Sequence, residues 1–179
     1  LRLALVLGFS FMPLASNAFS QKKPFNSLLG ETYELARDGY RYVAEQVAHH
    51  PPVTAYFAES DSFEVEGNFA VKVNFAWSGI TVDLKGSQTV LLKRTGERLQ
   101  LARPRGSVHN YIFGDLYTWF DGEMSVVNAD NGAKAFVRFL PKHKQRELDF
   151  GVEGKVVDAE GETRLLLRGR WNSYLEAVV

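Results

Sequence analysis

Apolar residues alternate with polar or small ones over short stretches through most of this chain. Phe69, Val71, Val73, Phe75 and Trp77 are separated by Ala70, Lys72, Asn74 and Ala76, and Ile80, Val82 and Leu84 by Thr81, Asp83 and Lys85. A period of two marks half-buried strands. Only Ser78 and Gly79 lie between these two runs, which predicts a hairpin. Further short apolar runs fall at residues 89–92, 108–113, 116–120, 124–127, 135–140, 148–152 and 165–171. Turn-forming clusters separate them at 95–97, 104–106, 121–122, 130–132 and 158–161. No helical period is found after residue 48. Many short strands with such turns predict an antiparallel meander that closes or nearly closes into a β-barrel.

The first twenty residues follow a different pattern. Arg2, an apolar run over 3–11 and small residues at 15–18 fit a secretory signal, and the same run fits a buried helix. It is too short, and too interrupted by Pro13, to span a bilayer. Both readings stay open on these residues.

Composition narrows the function. The 179 residues fit one domain spanning 1–179, with no internal repeat or linker-like stretch. Lys and Arg balance Asp and Glu at 21 each, so no overall basic field draws the chain to nucleic acid. The lack of cysteine excludes disulfides, thiol nucleophiles and thiolate metal sites, and is compatible with a reducing compartment.

The sharpest local feature is Glu45-Gln46-Val47-Ala48-His49-His50-Pro51-Pro52, which holds two of the four histidines. The prolines keep His50 out of a helix and present the pair on stiff, extended backbone. Two imidazoles, each able to donate, accept or carry charge near neutral pH, suit an anion such as a phosphate monoester. A turn whose imidazoles cap carbonyls is the structural alternative. Adjacent side chains on extended backbone face opposite ways, and no further ligand cluster accompanies them, so no metal site is predicted. There is no nucleophile elbow and no glycine-rich phosphate loop, hence no catalytic residue is assigned.

A second candidate is the stretch 22–31, where Pro24 stiffens the chain between Lys23 and Asn26. Lysine offers a compact charge to phosphate, and the Asn26 amide offers donors independent of pH. Three sheltered charge-assisted bonds of roughly 1.5–3 kcal/mol each, from Lys23, His49 and His50, suffice for micromolar binding after about half is lost to desolvation and ordering. His109 reads as a structural histidine at a strand start, and His143 as part of a solvated basic loop able to lean on an anionic membrane. Phe113, Tyr117, Trp119 and Phe120 read as core or as cavity lining.

These residues resemble the lipid-binding domain of the oxysterol-binding protein family. The family hallmark Glu-Gln-Val-Ser-His-His-Pro-Pro is present from Glu45 to Pro52 with Ala48 in place of serine. The family's Lys-Pro-Phe-Asn-Pro block is matched by Lys23-Pro24-Phe25-Asn26, with Ser27 where proline is usual, running on to Gly30-Glu31. Val108-His109-Asn110, Phe113-Gly114 and Gly122-Glu123 form a third similar block.

The resemblance implies a non-enzymatic lipid-transfer module without cofactor, an incomplete antiparallel barrel around a lipid tunnel with a short N-terminal helical segment. It favours the helix over the signal peptide for residues 1–18. It implies phosphatidylinositol 4-phosphate as one ligand and a sterol or phosphatidylserine as another, with Lys23, His49, His50 and Asn26 on the headgroup and Phe25 near the tunnel mouth. It implies a cytoplasmic protein touching organelle membranes transiently and peripherally. Neither the family's N-terminal lid nor its C-terminal helical region is found, so the chain reads as the central part of the domain. The rivals are a secreted lipocalin-like carrier, which needs cleavage after Ala18, and a hydrolase or metal enzyme centred on the histidine pair.

Overall fold

The computed structural model describes residues 1–19, 25–76, 79–110, 114, 117–141 and 150–179. Two helices come first, α1 (Arg2–Phe9) and α2 (Phe11–Phe19). Pro13 lies in the first turn of α2, where its missing N–H costs the helix no internal bond. Among the described residues no helix is long and apolar enough to cross a membrane.

Fourteen strands follow among the described residues. They are β1 (Thr32–Arg37), β2 (Tyr40–His49), β3 (Pro52–Ser60), β4 (Phe63–Ala76), β5 (Gly79–Lys85), β6 (Gln88–Leu92) and β7 (Glu97–Ala102), then β8 (Arg105–His109), β9 (Tyr117–Asp121), β10 (Glu123–Asn128), β11 (Lys134–Phe139), β12 (Gly151–Val157), β13 (Thr163–Arg170) and β14 (Tyr174–Val178). They make one antiparallel sheet in the order β1-β2-β3-β4-β6-β7-β10-β11-β12-β13-β14. The sheet forks at β4, whose first part pairs with β6 and whose second part pairs with β5, leading on to β8 and β9. Gly86 sits at the fork with φ +118°, and a Cβ there would strike the Asn68 carbonyl, so the position requires glycine.

Paired residues share a face, so the register traces one inner surface across the sheet. It runs through Ala44, Tyr56, Gly67 and Gln88 on one side of the fork and through Val90, Leu99, Val126, Ala135 and Val156 toward β13. Over β6 to β13 this surface is dry: Leu99, Met124, Val126, Val137 and Leu167 are buried, with Ala4 and Leu7 of α1 and Phe11 and Leu14 of α2 in the same cluster. Trp171 closes the cluster against Phe120 and Phe150, with ring centroids 5.1 and 5.2 Å away. The apolar run at the start of the chain is therefore core helix, as the domain-interior reading requires.

Over β1 to β5 the same surface is only half covered. Every residue of β3 and all but the last of β5 are partly exposed, and Tyr33, Val73 and Phe75 are open to solvent. The molecule thus has an incomplete barrel with a packed half and an open half.

The period-two runs are found as paired strands over 69–76 and 80–84, with Ala76 opposite Gly79, and Trp77 lies outside the described residues. Strands β1, β2, β3, β7 and β14 carry no run in the sequence reading, and β4 begins earlier than its apolar run. The stretch 104–106 is not a turn, since β8 begins at Arg105 and Gly106 is buried between Val82 and Phe120. His109 ends β8 rather than starting a strand; it stacks on Tyr117 at 4.8 Å and its Nε2 lies 3.0 Å from Ser107 Oγ. Trp119 and Phe120 are core. His143 and Phe113 lie outside the described residues.

Candidate functional site

The hallmark segment folds as a β-hairpin tip. His49 ends β2 opposite Pro52 at the start of β3, and His50 and Pro51, joined by a cis peptide bond, form the turn. Because the strand stops at His49, the alternation of faces stops too. The two imidazoles lie together, ring centroids 4.7 Å apart at 65°, instead of on opposite faces as the extended reading required. His49 is half-buried and His50 exposed.

A buried glutamine aims this tip. Gln46 is 3% exposed; its Nε2 donates to the Ala48 carbonyl at 2.9 Å, and its Oε1 accepts from the Thr54 hydroxyl at 2.7 Å. These bonds bridge the bulge between Gln46 and Ala48, where Val47 is squeezed outward. The bulge shifts the register just ahead of His49.

The loop before β1 is laced to the same spot. Gly30 N donates to Gln46 O at 2.8 Å, Gln46 N to Glu31 O at 3.0 Å, and Leu28 N to the Glu31 carboxylate at 2.8 Å. The loop so held brings the Asn26 amide nitrogen to 3.4 Å from His49 Nδ1, a long contact. An amide can donate to an unprotonated Nδ1 or, turned over, accept from a protonated one, so Asn26 accompanies the ring in either state. Among the described residues no carboxylate is within ion-pair distance of either histidine. Phe25 is fully exposed beside Asn26. Lys23 lies outside the described residues. No group of three or more His, Asp or Glu among the described residues could hold a metal ion.

Beside this tip the open half of the inner face is aromatic. Tyr33, Tyr42 and Tyr56 succeed one another across β1, β2 and β3 with centroids 6.2 and 6.4 Å apart. Burial pushes both Tyr42 and Tyr56 hydroxyls above the usual phenol range, and for Tyr56 this outweighs the opposing pull of Arg103. Tyr56 therefore keeps its proton as a donor.

The family model for oxysterol-binding protein matches residues 1–179. The chain belongs to the oxysterol-binding protein family. The oxysterol-binding protein-related protein 3B of Arabidopsis thaliana is 40% identical over 153 residues, 84% of this chain and 33% of the relative. Among solved structures, the Osh1 ORD domain in complex with ergosterol is similar over 97% of this chain and 43% of that one, with a TM-score of 0.85 and 28% identity. The Osh3 ORD of Saccharomyces cerevisiae in complex with PI(4)P is similar over 97% and 47%, with a TM-score of 0.81 and 27% identity. This family member thus spans about a third of the length of that curated relative and under half of each solved chain.

Asn26, His49 and His50 were legible in the sequence, and the structure brings them together. Gln46 and Thr54, which aim the tip, were missed. Their one signal is a polar pair at inward positions of two strands, which shows only once the hairpin register is known.

Proposed function

We propose that residues 1–179 act as one lipid-binding unit that takes phosphatidylinositol 4-phosphate from membranes and carries it, with a sterol or phosphatidylserine as a second cargo for the same surface. The role is carriage, with no bond made or broken. The observation that carries the reading is the convergence of Asn26, His49 and His50 at one end of a half-covered aromatic wall, in a chain of this family. The paired imidazoles and Lys23 would hold the headgroup phosphate, Asn26 would brace His49, and Phe25 would stand at the rim. Acyl or sterol surface would cover the open half of the inner face. Support for the two ligand types comes from the relatives solved with PI(4)P and with ergosterol.

Extraction from liposomes tests it. Replacing both histidines with alanine removes two charge-assisted bonds of roughly 1.5–3 kcal/mol each, so phosphoinositide extraction should fall by over about 100-fold while any sterol uptake persists. Undiminished phosphoinositide extraction by the double variant overturns the assignment.

A further inference from the structure

The histidine tip is short of negative charge. Two imidazole rings with centroids 4.7 Å apart repel each other when both are protonated, and only an anion close by relieves the repulsion. Among the described residues no carboxylate lies within ion-pair distance of His49 or His50. In the loop laced to the tip, the Glu31 carboxylate is engaged by Leu28 N at 2.8 Å. On β2 the nearest acid is Glu45, paired across to Thr32 of β1, and β3 has no acid before Glu59. Further out, Ala70 of β4 lies between Val53 and Lys85, and the next acid, Asp83, sits opposite Lys72 and is held by Arg105 at 2.9 Å. The other charged residues close in the chain, Lys22 and Lys23, are basic.

Hydrogen bonding does not fix the charge of the pair either. The Asn26 amide, 3.4 Å from His49 Nδ1, is neutral and serves a bare or a protonated ring by turning over. His50 is exposed, so it exchanges protons directly with water. On the empty tip, two positive charges oppose each other. A phosphate monoester carries about two negative charges near neutral pH and supplies the counter-charge for both rings at once.

We infer that headgroup capture is proton-linked: the His49–His50 pair takes up about one proton together with the phosphate, so the grip tightens toward about pH 6 and loosens as pH rises. This rests on the lipid-carrying reading above. A bound state that holds more protons than the free state loses affinity as pH rises, by about tenfold per pH unit for one proton. Below about pH 6 the phosphate takes up its own second proton, and the gain ends there. A grip made by lysine alone has no such slope, because an ammonium is already charged throughout this range. The linkage gives transfer a direction, since the lipid is released more readily at the more alkaline of two membrane surfaces.

The test uses the full-length protein and a water-soluble, short-chain phosphatidylinositol 4-phosphate, titrated calorimetrically near about pH 7.5 in buffers of different ionisation enthalpy. Wild type should take up about one proton per ligand, and its affinity should fall about tenfold between about pH 7 and about pH 8. His50→Gln keeps a hydrogen-bonding side chain without a titrating ring, so it should lose most of the uptake and flatten the profile. Asn26→Asp sets a carboxylate against His49 and supplies the counter-charge in advance, so its uptake should drop below about half a proton. Asn26→Ala supplies none and should keep the wild-type uptake. Thermal unfolding checks that each variant is folded. Wild-type binding without proton uptake, or uptake that survives in both His50→Gln and Asn26→Asp, overturns the inference alone. Wild type that binds no phosphoinositide at any pH overturns the lipid-carrying reading and this inference with it.

Discussion

Gln46 offers a direct test of how the fold aims the histidine tip. Truncation to alanine strips the Ala48 carbonyl and the Thr54 hydroxyl of their partner at a site 3% exposed. Both orphaned groups are part-buried, where the cost sits at the low end of about 1–3 kcal/mol each, so Gln46→Ala should lose about 2 kcal/mol of stability in urea unfolding. Thr54→Val removes only the second bond and should cost about 1 kcal/mol. The two changes share a partner, so the double variant should fall short of the sum by at least about 0.5 kcal/mol. The bulge those bonds bridge shifts the register ahead of His49. Phosphoinositide extraction by Gln46→Ala should therefore drop more than tenfold under conditions where the protein stays folded. Strict additivity in the cycle, together with normal extraction by Gln46→Ala, would show that the glutamine neither couples to Thr54 nor positions the tip.

Three further outcomes follow from other parts of the molecule. Leu7 is fully buried where α1 meets the sheet, so Leu7→Ala should cost about 3–5 kcal/mol, measured by denaturant midpoint; a loss below about 1 kcal/mol would mean that the helix does not pack as described. A Cβ at Gly67 would meet the Ser87 carbonyl at 2.5 Å as well as the Tyr56 hydroxyl at 2.7 Å, so Gly67→Ala should lower the denaturant midpoint and change the Tyr56 phenol environment in tyrosine absorbance titration; an unchanged midpoint and titration contradict the close approach. At Asp158, burial pushes the carboxyl up, but bonds from the Glu162 and Glu160 backbone N–H groups and from the Arg164 guanidinium outweigh it and hold the group below the usual carboxylate range. A folded value below the unfolded one gives stability that is present above the unfolded pKa and disappears as pH falls through the folded one. The stability gap between wild type and Asp158→Asn should accordingly be widest near neutrality and close in acid, as followed by thermal unfolding at stepped pH.

The strands easiest to read were those whose inward side chains are large and apolar while the outward ones are polar. β4 and β5 over residues 71–84 meet that condition, with Val71, Val73 and Phe75 facing Leu84, Val82 and Ile80. β2 does not: its inward positions up to the bulge are Tyr40, Tyr42, Ala44 and Gln46 and its exposed ones include Val43 and Val47, so the apolar signal is reversed. β7 offers just Leu99 and Leu101 between Arg98 and Gln100, too little contrast to stand out. For the site, the histidines were legible because proline restricts backbone whatever the tertiary context. Their closeness was not legible, because it depends on the strand ending at His49, a fact of hairpin register. The Tyr56, Gln88 and Arg103 cluster joins residues 15 to 47 positions apart and needs the sheet order before it can be seen.

The split of the inner face into a dry half and an open half bears on how binding is driven. Where α1, α2 and β6 to β13 meet, the inward side chains are buried in one hydrophobic cluster. The open half keeps Tyr33, Val73 and Phe75 in water although they share a surface with that core. At about 25 cal/mol for each Å² of apolar surface, a cargo that hides roughly 200 Å² of such wall gains about 5 kcal/mol without any refolding. The energy for taking up lipid would then be stored in the fold as uncovered surface. The histidine tip, being polar, would add little to this drive and would instead choose which lipid collects it. A variant such as Val73→Asp should on this reasoning weaken uptake of every lipid alike, whereas His49→Ala/His50→Ala should affect the phosphoinositide alone. Equal loss across all lipids from the double histidine variant, with Val73→Asp silent, would reverse the assignment of drive and choice.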